Sequence, residues 1–178
     1  GTSGDIGVVM EYGESEGLFN QTGSDDKSEF KNESNNGLIE PVDQIDVIGA
    51  GNFVKTMLLP TLKGKLPFGS IVNNTALSAN HVRNKFGFNL ASSDSEEVLN
   101  KSGGAVLIGT RNHLHAPMVI SALKSEKHVF VEKPLCLTPQ ELSEIDENIE
   151  THSTSVQVGF NRRFAPASVE LKKRLNHS

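Results

Sequence analysis

The sequence predicts a doubly wound α/β fold, a parallel sheet covered by helices on both faces, and three observations predict it. Short apolar runs recur at Ile45–Ile48, Ser70–Val72, Ala105–Ile108, His128–Val131 and Val156–Phe160, at intervals that leave room for one helix between successive strands. Strands alternating with helical patterns read as βαβ units, whose crossovers are right-handed and whose strands lie parallel. The runs are continuous rather than alternating, as strands buried on both faces require. Finally, the first run leads straight into Gly49-Ala50-Gly51, a glycine turn where a strand hands over to a helix.

Composition divides the 178-residue chain before any element is placed. Residues 1–40 hold nine acids and two lysines, whereas residues 41–178 hold 13 acids and 15 Lys or Arg, so the overall charge of −5 comes from the head. Residues 1–12 contain one strand-like run, Gly7 to Tyr12, read as the end of a preceding region. Residues 13–40 are rich in Gly, Ser, Asn, Asp and Glu with isolated Leu18, Phe19 and Phe30, too little apolar surface to offset ordering entropy. They read as a linker or mobile acidic loop. Within them Gly13-Glu14-Ser15-Glu16-Gly17 matches the nucleophile-elbow pattern G-x-S-x-G, but no helical period follows, so the hydrolase context is missing.

The dinucleotide-binding domain is assigned to 41–160. After Ile45–Ile48, Gly49-Ala50-Gly51-Asn52-Phe53-Val54 reads G-x-G-x-x-V. Gly49 permits the tight turn, Gly51 lets the backbone approach a pyrophosphate, and Asn52 and Phe53 open the helix whose N-terminus receives it. Val54 stands where Gly or Ala usually allows close helix packing. Pro60 is expected to kink or end this helix near Leu59. The second strand should end in an acid for the adenosine ribose, yet Asn73-Asn74-Thr75 follows Ile71-Val72. Asn73 can bond a ribose hydroxyl, and without a carboxylate a 2′-phosphate is not repelled, so both NAD and NADP stay open.

The run Ala105–Ile108 is followed by Thr110-Arg111-Asn112-His113-Leu114-His115, at the carboxyl end of a strand where open α/β sheets bind ligands. Two histidines without a third ligand at metal spacing make no metal site. The segment from His113 carries Met118, Val119, Ala122 and Leu123 on one helical face. After His128–Val131 comes Glu132-Lys133-Pro134, whose lysine at the crevice can donate to a substrate oxygen or exchange a proton. Thr138-Pro139-Gln140-Glu141 is a capping box with proline at the first helical position, opening a helix that carries Leu142, Ile145 and Ile149.

Taken in order, Gly49-Ala50-Gly51, Thr110 to His115, His128 to Pro134 and Val158-Gly159-Phe160-Asn161-Arg162-Arg163-Phe164 resemble the Gfo/Idh/MocA oxidoreductases, over residues 44–175. The resemblance is to the family's NAD(P)-binding Rossmann domain. The stretches Val129 to Pro134 and Gly159 to Pro166 are similar to two-part members with a zinc-type alcohol dehydrogenase-like region upstream, whose closing strand Gly7 to Tyr12 resembles. The resemblance implies that Lys133 is the catalytic lysine at nicotinamide and substrate, that the Lys133-Pro134 peptide is cis, and that Thr110, Asn112, His115 and Glu132 lie along the cofactor. It further implies that Arg163 sits where the chain enters the substrate domain and meets substrate, with 161–178 the start of that domain. The family continues as a larger α/β substrate domain, so this chain is expected to be the cofactor half of a larger enzyme, incomplete and inactive alone.

The expected activity is NAD(P)-dependent hydride transfer between nicotinamide and a carbinol carbon of a sugar or polyol. The alternative is a non-catalytic dinucleotide-binding module or sensor. One cysteine, Cys136, forms no internal disulfide, and no apolar run approaches the ~18 residues of a membrane span. No signal or transit pattern opens the chain. The expectation is therefore a cytoplasmic protein with no membrane partner, and homo-oligomer formation stays open. The body lacks clustered Lys and Arg with interleaved aromatics, which argues against nucleic acid.

Overall fold

A computed structural model describes residues 42–101, 104–152 and 154–175, except for the side chain of Arg163. The expectations for 1–12 and 13–40, including the mobile loop and the resemblance of Gly7 to Tyr12, lie outside the described residues. Six strands, β1 (Ile45–Ile48), β2 (Phe68–Val72), β3 (Leu90–Ser92), β4 (Ala105–Ile108), β5 (His128–Val131) and β6 (Val156–Val158), form one parallel sheet in the order β3-β2-β1-β4-β5-β6. The order reverses direction between β1 and β4, which creates the crevice at their carboxyl ends that doubly wound sheets use for ligands.

Strand residues alternate between two cores because successive side chains point to opposite faces. Ile48, Val106 and Ile108 pack with Val119 and Leu123 of α4 (His115–Lys124) and Ile145 of α5 (Pro139–Thr151). Ile45, Val47 and Leu107 pack on the other face with Val54 and Leu59 from the first helical stretch and Val82 and Phe86 of α2 (Ala76–Phe86). Helices on both faces account for the continuous apolar strands.

Several local expectations are corrected. The sequence pattern missed β3 and the helix before it: α2 buries only Ala79, Val82 and Phe86, and Leu90 in the edge strand β3 is 58% exposed, so neither carries a full apolar stripe. Their boundary signals are nonetheless present, since the Thr75 side chain accepts a hydrogen bond from the Ser78 N–H and Gly87 closes the helix at φ 85°. Pro60 does not end its helix. A π-helical turn, Val54–Leu58, runs into α1 (Leu59–Leu62) with Pro60 inside it, so the wider turn takes up the proline where it cannot bond or fit. Leu142 on α5 is 42% exposed rather than core, and β6 ends at Val158 rather than Phe160. The capping box at Thr138 and Glu141 forms as expected; Glu141 also accepts from the Leu137 N–H, which holds its carboxyl below the usual range.

At the amino ends of the central strands the core contains polar groups. Asp46 is buried within β1, and its Oδ1 accepts the Ser70 N–H of β2 at 2.7 Å. The β1–β2 register is irregular at this point, between Ile45 and Val47. Lys127, at the foot of β5, is buried too; burial pushes its amine down, the Asp46 charge opposes that, and Lys101 adds to it.

Candidate functional site

The first strand and the helix after it enclose a turn built by glycine for two different reasons. Gly49 has φ 85°, and a Cβ there would stand 2.6 Å from Thr110 Cγ2 and 2.7 Å from the Thr110 backbone nitrogen. Its freedom serves the fold. Gly51 is exposed, and a Cβ there would meet nothing nearer than the Gly109 carbonyl oxygen at 3.7 Å. The protein leaves that side open.

This opening is a cleft of about 360 Å³. The turn residues Gly49 and Gly51, the β2 end at Asn73 and the β4 end at Thr110 and Arg111 line it. Three strand ends, those of β1, β2 and β4, thus converge where the sheet order reverses. The lining also includes Asn74, Ser78 and His113, and a contiguous hollow adds Ser93 and Ser95; no carboxylate is among the residues of either. Sequence reading passed over Asn74, Ser78 and the two later serines because their element boundaries, the start of α2 and the end of β3, carried no periodic signal.

Asn73 is 9% exposed and lines the cleft, but its amide is already engaged. Oδ1 accepts the Ala50 N–H at 2.8 Å and Nδ2 donates to Ser78 Oγ at 3.1 Å. It holds the glycine turn to the end of β2, a task the ribose expectation did not include. The partner is a backbone group far along the chain, so no local pattern announces it.

Of the other expected cofactor residues, Thr110 lines the cleft, whereas Asn52 and Phe53 stand exposed at the helix start beside it. Asn112 is exposed in the 3₁₀ turn Asn112–Leu114 and is absent from the lining. His115 lies beneath the cleft rather than along it, 1% exposed at the start of α4, with both ring nitrogens against backbone carbonyls.

A second hollow of about 260 Å³ is lined by Lys133, Phe160, Asn161 and Arg162. The β5 and β6 carboxyl ends thus bring Lys133 together with the Asn161–Phe164 turn. Lys133 is exposed, and the Lys133-Pro134 peptide is cis. Arg163 belongs to the same turn, its side chain outside the described residues. Beside them Glu132 keeps Oε1 buried with no hydrogen-bond partner among the described residues. Burial pushes this carboxyl above the usual range, against the Lys133 and His115 charges and a hydrogen bond from the Lys133 backbone N–H. A Cβ on Gly159 would stand 2.9 Å from that oxygen, so the glycine makes room for it. The Cys136 thiol is pushed up by burial and by Glu141 and Asp146, which disfavours the thiolate. Among the described residues no group of three or more His, Cys, Asp or Glu is placed to hold a metal ion, and no helix is long and apolar enough to cross a membrane.

Residues 44–160 match the model of an oxidoreductase family described as having an NAD-binding Rossmann fold. Among similar proteins, scyllo-inositol 2-dehydrogenase (NAD(+)) of Bacillus subtilis is 38% identical over 99 residues, 55% of this chain and 29% of that protein. Levoglucosan dehydrogenase of Pseudarthrobacter phenanthrenivorans is 35% identical over 101 residues, 56% of this chain and 26% of that one. A levoglucosan dehydrogenase structure in complex with NADH and L-sorbose superposes with TM-score 0.64 at 26% identity, covering 75% of this chain and 38% of the other. A probable dehydrogenase from Thermotoga maritima does so with TM-score 0.68 at 29% identity, over 75% and 41%. The chain therefore spans under a third of the length of the curated relatives quoted.

Proposed function

The chain belongs to the Gfo/Idh/MocA oxidoreductase family, and from that premise we propose that it is the dinucleotide-holding part of a dehydrogenase acting on a carbinol carbon of a sugar or polyol. One observation carries the reading: the open Gly51 turn and the Lys133 amine stand on the same carboxyl edge of one parallel sheet. Residues 41–160 form the binding domain, and the Asn161–Phe164 turn with the helix after it begins the substrate domain. A nicotinamide dinucleotide, NAD or NADP, supplies the hydride acceptor or donor when bound.

The residues present fit such a group. Gly51 leaves the backbone accessible, the first N–H groups of the helix from Asn52 have no acceptor within their own helix, and that terminus favours a pyrophosphate. Asn73 holds the turn in shape, and Thr110 closes its far side. The carboxylate-free lining, with Arg111 and His113 in it, gives no charge that would expel a 2′-phosphate. Lys133 is exposed in its own hollow and takes or returns the proton that accompanies hydride movement, and Arg163, a substrate residue by the family resemblance, lies on the adjoining turn.

Calorimetric titration of the protein with NAD, NADH, NADP and NADPH tests the reading. Saturable binding of at least one, lost in Gly51→Val, is the expected outcome. Absence of binding by all four would remove it. The inositol and levoglucosan relatives make cyclitols and anhydrosugars the first substrates to assay.

A further inference from the structure

His115 presents a hydrogen-bonding problem that the cofactor reading does not use. Its Nδ1 lies 2.6 Å from the Pro134 carbonyl oxygen and its Nε2 3.2 Å from the Thr110 carbonyl oxygen, with the residue 1% exposed. Carbonyl oxygens only accept. A neutral imidazole has a single N–H, so it would turn a bare lone pair on one of the two oxygens in a place water does not reach. A ring with both nitrogens protonated donates to both. Beside it Glu132 keeps Oε1 buried with no hydrogen-bond partner among the described residues.

The two carbonyls belong to the two loops that make the site. Thr110 closes the glycine turn, standing against Gly49, and Pro134 follows Lys133 directly. We propose that His115 is a positioning residue that ties the Lys133-Pro134 loop to the Thr110 turn by donating from both ring nitrogens, and so fixes the Lys133 amine relative to the bound dinucleotide. The titratable or charged groups around it are Arg111 and His113 on its own turn, Glu132, Lys133 and Cys136 in the connection after β5, and Glu141 and Glu144 of α5, which packs on α4. This inference rests on the reading of Lys133 as the proton-handling group.

The test has two arms, on the full-length protein with the dinucleotide that titration selects. In the first, nitrogen-15 NMR of histidine-labelled wild-type protein at neutral pH should find both His115 nitrogens bearing protons; a singly protonated ring would overturn the proposal without any variant having to fold. In the second, His115→Gln, which keeps one donor and cannot span both carbonyls, should lower kcat about 10- to 100-fold, the scale for misplacing a catalytic group by about 1 Å. The cofactor Kd should stay within about twofold and Tm should fall only modestly. Unchanged kcat in His115→Gln, with Lys133→Met inactive, overturns the positioning role alone. Unchanged kcat in Lys133→Met overturns the reading of Lys133 and this inference with it.

Discussion

The glycine turn allows fold and ligand binding to be separated by two neighbouring substitutions. At Gly49, any side chain must adopt φ 85° and enter within 2.6 Å of Thr110 Cγ2 and 2.7 Å of its backbone nitrogen. A left-handed backbone costs a non-glycine residue about 1–2 kcal/mol, and an overpacked contact about 1–3 kcal/mol more. Gly49→Ala should therefore destabilise the protein by about 2–5 kcal/mol, lowering Tm by roughly 5–20 °C for a chain of this size. Gly51 is the opposite case. The nearest protein atom to its Cβ position is 3.7 Å away, so Gly51→Val should change stability by about 0.5 kcal/mol or less, the usual scale of surface substitutions. The added methyls project to the side the cleft leaves free, and losing one charge-assisted backbone hydrogen bond costs about 1.5–3 kcal/mol, or roughly 10- to 150-fold in Kd. Gly64 supplies the control: at φ 81° with nothing within 4 Å of its Cβ position, Gly64→Val should cost some stability and leave affinity unchanged. Thermal unfolding and calorimetry on the three variants give the full pattern. Equal NAD(P) affinity in wild type and Gly51→Val, or a Gly51→Val protein as unstable as Gly49→Ala, would refute the separation.

Lys133→Met should keep Tm and cofactor affinity near wild type, because the side chain is exposed, while turnover of the full-length enzyme falls by about 10²–10⁴; steady-state kinetics on the sugar or polyol substrate measure it. Asn73→Leu should leave the buried Ala50 N–H without its acceptor and cost about 1–3 kcal/mol by denaturant unfolding. Asn73→Asp should weaken NADP(H) more than NAD(H) in calorimetry, since it alone adds a carboxylate to the lining. Glu132, whose carboxyl is raised by burial, lends its full stability below the ordinary glutamate range of about 4.3 and loses it as pH rises through the raised value. Glu132→Gln should therefore gain in Tm relative to wild type on going from acid to neutral pH, and a constant difference across that range would contradict the assignment.

What could be read from the sequence follows from the range of the interactions involved. The strands β1, β4 and β5 are fully apolar over four residues or nearly so, and the Gly49-Ala50-Gly51 turn is contiguous, so periodicity and spacing located both. The capping box was legible because its two halves sit three residues apart. By contrast β3 and α2 bury too few side chains to mark themselves, and Pro60 is accommodated by a π turn that no propensity announces. Asn73 and His115 were picked out as site residues, but their bonds run to Ala50, Thr110 and Pro134, backbone groups that only the folded sheet brings near. A reading of side-chain types assigns such residues to the ligand by default. The fold shows their polar atoms engaged within the chain, where they join separate loops at the carboxyl edge of the sheet.

The carboxylate of Asp46 has a consequence at the far end of the sheet. Because its Oδ1 takes the Ser70 N–H where the ladder of β1 and β2 is irregular, the sliding position of β2 is determined by a side chain as well as by backbone pairing. The strand has five residues, all buried, with Asn73 directly beyond it. Any slip of β2 against β1 is therefore passed on to its tip, where Asn73 accepts the Ala50 N–H, so the alignment of the cleft is set in part from within the sheet.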